Sequence, residues 1–241
     1  MRRILVTNDD GIHAPGIAAL AACAAQFGEV TVIAPKTECS AMSQKITLGN
    51  EMTLAEEDIG VPGVRALSLT GTPTDCVRLG VTSPAGRFDL VLSGINAGAN
   101  SGFDIQYSAT VSAAMEALSF GVPAMCFSQM RGGSEEVRES KLTEILESLL
   151  SREIAPGEAW NVNFPSCTLA EFQGIREDCF PARMGMFQDW YVLCGAPGGP
   201  YTVSMQARRH TAEEAEEGSD IRAILDGCIA IGKVRNRVMC P

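Results

Sequence analysis

Short apolar runs alternating with helical stretches are the feature that most constrains this chain. Residues 4–7, 30–34, 88–93 and 124–128 are mostly apolar and only four to six residues long. Between and after them, 16–26, 74–81, 111–119 and 134–150 read as helices. Ser134 is the expected N-cap of the last, with Glu135 and Glu136 in its first turn. A strand that is apolar throughout must be covered on both faces. The alternation therefore predicts a doubly wound α/β core with a mostly parallel sheet. In such sheets, sites form beyond the carboxyl ends of the strands.

Residues 52–55 and 64–69 interrupt the alternation and read as strands around a Glu/Asp/Gly/Pro turn region. From Trp160 the signals are mainly β: 160–164, 190–194 and 201–205, with a Gly/Pro break at 195–200. The expected organisation is a core over 1–150 and a β-rich extension over 151–241. The acidic run 213–217 reads as a solvated helical face or loop.

Composition narrows the function classes. The 241 residues carry 19 Lys plus Arg against 29 Asp plus Glu, a formal charge of −10. That balance argues against a nucleic-acid polymer as partner. It leaves a phosphorylated substrate open, because a bound cation reverses the local field. Nine cysteines, an odd count with no Cys-x-x-Cys, read as reduced thiols rather than a disulfide framework or zinc site. The apolar run after Arg2-Arg3 is too short for a signal peptide, and no stretch is long enough to span a bilayer. The expectation is a soluble, cytoplasmic protein.

Five segments can carry chemistry. Thr7-Asn8-Asp9-Asp10-Gly11 follows the first strand. Adjacent carboxylates repel unless they are solvated, hydrogen-bonded or bridged by a cation, so Asp9 and Asp10 are candidate ligands for a hard divalent ion. The competing reading is a polar turn with a helix cap. Ser93-Gly94-Ile95-Asn96-Ala97-Gly98-Ala99-Asn100-Ser101-Gly102 follows the third strand. Such a loop can offer backbone N–H groups to an anion and an Asn carbonyl to a metal. It is neither a Walker loop nor a dinucleotide fingerprint, and it also reads as a plain flexible loop. Ser108 and Thr110 open an Ala-rich helix, where they either cap it or join its N-terminus in binding phosphate. Ser40 follows the second strand and is placed to face the same crevice. Gly71-Thr72-Pro73-Thr74-Asp75 reads as a capped turn into a helix. With histidine only at 13 and 210, no Ser/His/Asp arrangement is legible.

Together these segments resemble the SurE family, the survival protein E nucleotidases. The resemblance is carried by Ile4 to Ile17 (Ile-Leu-Val-Thr-Asn-Asp-Asp-Gly-Ile-His-Ala-Pro-Gly-Ile), Val32-Ile33-Ala34-Pro35 with Ser40-Ala41, and Gly71 to Val77. Ser93 to Asn100, Ser108 to Glu116 and Asn161-Val162-Asn163-Phe164-Pro165 complete it. It covers about 1–165 strongly. It implies a Rossmann-like fold and a phosphatase acting on nucleoside 5′- and 3′-monophosphates. It implies one divalent cation per subunit, Mg²⁺ or Mn²⁺, held by Asp9, Asp10, Ser40 and Asn96. Asp9 or Asp10 would orient or deprotonate a water, with a covalent aspartyl-phosphate as the alternative. Phosphate would be bound by Asn8, Gly94, Asn96, Gly98, Ser108 and Thr110. The resemblance also implies a homodimer or homotetramer, built partly through the C-terminal extension.

Three departures accompany it. Cys39 stands where the family commonly has arginine, Ala109 where it has glycine, and 227–234 lacks the family's polar C-terminal strand residues. They leave two rival readings: a same-fold phosphatase for other phosphomonoesters or short polyphosphate, and a nucleotide-binding regulatory protein without turnover. Modification of Cys39, beside an expected ligand, is expected to impair activity.

Overall fold

A computed structural model describes residues 1–83 and 87–239. Cys240, one of the nine thiols, lies outside the described residues. The first strand, β1 (Arg2–Thr7), is followed by α1 (Pro15–Ala24), β2 (Gly28–Pro35), β3 (Leu54–Glu57), β4 (Arg65–Leu69) and α2 (Pro73–Thr82). Then come β5 (Leu90–Ala97), α3 (Ala109–Ser119), β6 (Ala124–Gln129) and α4 (Glu136–Leu150). The last part holds β7 (Glu158–Phe164), β8 (Ile175–Cys179), β9 (Phe187–Cys194), β10 (Thr202–Arg209), α5 (Asp220–Leu225) and β11 (Ile229–Arg235).

Nine strands form one sheet in the order β3-β4-β2-β1-β5-β6-β7-β11-β8. Strands β4, β2, β1, β5, β6 and β7 are all parallel. β3 and β11 are antiparallel to their neighbours β4 and β7. The β-rich extension thus adds β7, β11 and β8 to the same sheet, and β9 with β10 stands apart as a hairpin. Its turn falls at the Gly/Pro break read at 195–200.

The two-residue period of the strands explains the two layers. In β1, Ile4 and Val6 pack with Ile17 and Leu20 of α1 and with Ile145 and Leu146 of α4. Leu5, between them, packs on the opposite face with Val77 of α2 and Val111 and Ala114 of α3. Leu90 and Leu92 of β5 join the first layer and Val91 the second. A fully buried Leu or Ile contributes about 1.5–3 kcal/mol, so both faces of each central strand hold the sheet in place.

Two local expectations change. The N-cap of α4 is Glu135, not Ser134. Ser134 lies one residue before the cap, and its Oγ accepts from the amide of Glu136, the first helical residue, at 3.2 Å. The strand expected at 52–55 begins at Leu54, where pairing with β4 starts. Among the described residues, no helix is long and apolar enough to cross a membrane.

Candidate active site

Strand β1 is buried from Ile4 to Thr7 and is followed by Asn8, Asp9 and Asp10 at the carboxyl edge of the sheet. Asp9 is only 3% exposed. Thr110 Oγ1, itself fully buried at the start of α3, donates to Asp9 Oδ1 at 2.5 Å. Burial pushes the Asp9 carboxyl up to about 6. The Thr110 hydrogen bond opposes that rise, and the charges of Asp10 and Glu38 add to it. Asp10 is less buried. Its Oδ2 accepts from the Ala97 amide at 2.8 Å. Burial also raises its pKa, while the Ala97 amide and the Arg131 guanidinium hold it down. Asn8 is fully buried and donates from Nδ2 to the Gly11 carbonyl at 2.9 Å. Its Oδ1 has no hydrogen-bond partner.

The glycine-rich segment is not a loose loop. Gly94 lies inside β5, and a Cβ there would come within 2.2 Å of the Phe127 carbonyl. Its requirement is therefore close packing against β6. Gly98 turns at φ 147° and donates its amide to the carbonyls of Gln129 and Asn96 at 2.8 and 3.0 Å. That amide, expected to face phosphate, is committed to the backbone. Asn96 Nδ2 donates to the Gly98 carbonyl at 2.8 Å, which leaves its oxygen as the atom available to a cation. Asn100 fastens the far end. Its amide donates to Asn163 Oδ1, its Nδ2 to Ser128 Oγ, and its carbonyl accepts from Asn161 and Asn163. Four bonds to β6 and β7 thus hold the segment against the sheet.

Ser108 caps α3, its Oγ accepting from the Val111 amide at 3.0 Å. Capping uses only an acceptor, so the hydroxyl proton is free to donate to an anion. Thr110 is turned to Asp9 and acts through that carboxylate. At α2, Thr72 is the cap, in a capping box with Asp75 and with Pro73 at the first helical position.

The 35–45 loop reaches the site through its backbone. The Cys39 amide donates to the Asp9 carbonyl at 2.7 Å. Ser40, one residue on, is exposed and donates to Glu38 Oε1 at 2.7 Å. The hydroxyl expected among the metal ligands is therefore engaged with a carboxylate of its own loop. Burial pushes the Cys39 thiol up, and Asp9 adds to the rise. The thiolate is scarce there, which slows modification.

Two residues that sequence reasoning passed over stand at the site. Glu38 is near enough to raise both Asp9 and Asp10. Arg131, after β6, donates from Nε to the Ala97 carbonyl and faces Asp10. Neither lies in a motif; both follow a strand of the parallel sheet, which was the available signal. His13 turns away instead, with Nε2 3.4 Å from Glu57 Oε2.

The chemistry of this pocket suits a hard cation. Two neighbouring carboxyls are both raised above their ordinary range, and a buried amide oxygen lacks a partner. All the available donors are oxygens, which match Mg²⁺ or Mn²⁺ rather than a thiolate-bound zinc. Among the described residues, no group of three or more His, Cys, Asp or Glu is arranged to hold a metal. A cation here rests on two carboxylates completed by neutral oxygens.

The family model described as Survival protein SurE matches residues 4–186. The fold is also similar to the crystal structure of the SurE protein from Aquifex aeolicus, at a TM-score of 0.83 and 31% identity, over 97% of this chain and 93% of that one.

Proposed function

The chain belongs to the SurE family of metal-dependent phosphatases, and on that premise we propose that it hydrolyses nucleoside 5′- and 3′-monophosphates to nucleoside and phosphate. The observation that carries the reading is the Asp9–Asp10 pair at the end of β1. Both carboxyls are raised, and each is held by one donor, Thr110 or Ala97.

Asp9, Asp10 and Asn96 would hold the cation, with Ser40 joining once its hydroxyl leaves Glu38. When bound, a hard divalent ion supplies positive charge to the phosphoryl oxygens and lowers the pKa of water. The chain's own residues do the rest. Thr110 fixes the Asp9 carboxylate through Oδ1 and would leave the other oxygen to the cation. Asp10, fixed by the Ala97 amide, orients or deprotonates the attacking water. Ser108 donates its free proton to a phosphoryl oxygen. The N-terminus of α3 favours the anion as well.

The exposed hairpin supports a homodimer, and a tetramer by the same surface. Every residue of β9 and β10 is exposed, among them Trp190, Tyr191, Leu193, Val203 and Met205. An isolated two-stranded hairpin is marginal in water, and exposed apolar patches of this kind are contact surfaces.

A screen of purified protein tests the activity. Mg²⁺ and Mn²⁺ are crossed with nucleoside monophosphates, sugar phosphates and short polyphosphate, and phosphate release is read. Fastest metal-dependent release from nucleotides is expected. Faster release from another class would shift the substrate. Nucleotide binding without release would replace the enzyme reading with a regulatory one. Asp9→Asn should abolish metal-dependent release while the fold persists, and near-normal turnover in that variant would sink the assignment.

A further inference from the structure

We propose that Arg131 is a substrate-binding residue of this site, a guanidinium clamp for the phosphoryl group. The inference rests on the phosphatase reading. It goes beyond that reading in assigning a cation of the chain itself to the anion.

Three observations place it. Arg131 Nε donates to the Ala97 carbonyl, and the Ala97 amide donates to Asp10 Oδ2 at 2.8 Å. A single residue, Ala97, therefore links the guanidinium to the carboxylate through its carbonyl and its amide. Next, a Cβ at Gly98 would lie 3.5 Å from Asn96 Nδ2 and 3.8 Å from Arg131 Nε. The guanidinium thus lies within van der Waals reach of the corner formed by Asn96, Ala97 and Gly98. Finally, the segment that carries Arg131 is seated: a Cβ at Gly133 would meet the Ser166 carbonyl at 2.2 Å, so its backbone packs directly on the chain after β7.

Charge gives the arrangement its sense. Asp9, Asp10 and Glu38 converge on the crevice and repel a phosphate dianion. Arg131 is exposed and near enough to Asp10 for its charge to hold that carboxyl down. The Ala97 carbonyl occupies Nε and leaves the terminal nitrogens of the fork to a ligand. A planar fork of donors matches two phosphoryl oxygens at once. With a cation on the aspartates, the negative charge facing Arg131 is neutralised and the fork turns to the substrate.

A structural role and a binding role predict opposite signs. Removing a positive charge beside Asp10 should leave cation affinity equal or higher while anion affinity falls. General damage to the corner would weaken both. The test is calorimetric titration of the whole protein with MnCl₂ alone and with inorganic phosphate in the presence of Mn²⁺, for the wild type, Arg131→Ala and Arg131→Lys. Circular dichroism confirms that each variant is folded. Phosphate affinity should fall about 10- to 100-fold in Arg131→Ala, the value of a lost charge-assisted pair. It should fall less in Arg131→Lys, and Mn²⁺ affinity should not fall in either. In turnover, KM for the best phosphomonoester should rise by more than kcat declines. Unchanged phosphate affinity in Arg131→Ala, or parallel loss of Mn²⁺ and phosphate affinity, would overturn the proposal. Phosphate binding is read without turnover. A wild type that binds phosphate and releases none would thus fail the phosphatase reading and leave the Arg131 assignment standing.

Discussion

Thr110 Oγ1 lies 2.5 Å from Asp9 Oδ1, and this bond joins the first turn of α3 to the end of β1 across 101 residues of chain. Both groups are buried, so each is the other's substitute for water. Thr110→Val keeps the shape and removes the donor. The Asp9 carboxyl should then rise further above 6, and kcat/KM should fall roughly 10- to 100-fold. Thr110→Ser should retain most of the activity. Steady-state kinetics against pH reads both effects; equal activity in the Val variant would show that the bond does not position Asp9.

The raised Asp9 also sets a pH dependence of stability. Its folded pKa is about 6 against an ordinary 3.8, so the folded chain holds the proton more tightly than the unfolded one. The stabilisation is complete below about pH 4 and is lost as pH rises through 6, an effect of about 3 kcal/mol. Metal-free protein should show this difference when wild type and Asp9→Asn are unfolded in urea at pH 4 and pH 7. The Asn variant should lack it. Divalent-cation affinity should run the other way and weaken below pH 6, because the proton competes for the carboxylate.

Asp75 is the contrasting carboxylate. Burial raises it, but hydrogen bonds from the Thr72 amide, from Thr47 and from the Thr72 hydroxyl outweigh burial and hold it below its ordinary range. It closes the capping box of α2 and holds Thr47 by two hydrogen bonds, while Thr72 Oγ1 donates to the Lys45 carbonyl. Asp75→Ala should cost roughly 2–4 kcal/mol at pH 7. The cost should shrink as pH falls below 3.8 and the wild-type carboxyl protonates. Chemical denaturation at several pH values checks both statements.

For assembly, Tyr191→Ser with Leu193→Ser alters two side chains that are 66% and 61% exposed on the hairpin. Sedimentation at micromolar concentration should shift the double variant toward monomer and leave the wild type at least dimeric. A monomeric wild type would remove the hairpin from any role in self-association.

Much of the site was legible because a parallel sheet sends every strand end to one edge. Asp9 and Asp10 after β1 and Asn96 at the end of β5 follow from that rule. Thr110, at the N-terminus of α3, stands at the same edge. Ser40 follows from it less well: it shares the edge, yet its hydroxyl is turned to Glu38. Gly94 and Gly98, expected to offer amides to phosphate, instead serve close packing of β5 on β6 and a backbone turn.

The sequence by itself determined the layer architecture. Apolar runs too short for helices, alternating with helices, have one stable arrangement, and the two-residue period decides which side chain enters which layer. It also placed Asp9, Asp10 and Asn96 at the carboxyl edge. Only the tertiary structure decided what those donors do. Burial raises Asp9, the choice of Thr110 as its partner spans 101 residues, and Arg131 and Glu38 arrive from separate strand ends with no motif between them. Side-chain partnership and desolvation depend on what packs around a group, and that is set by chain segments far apart in sequence.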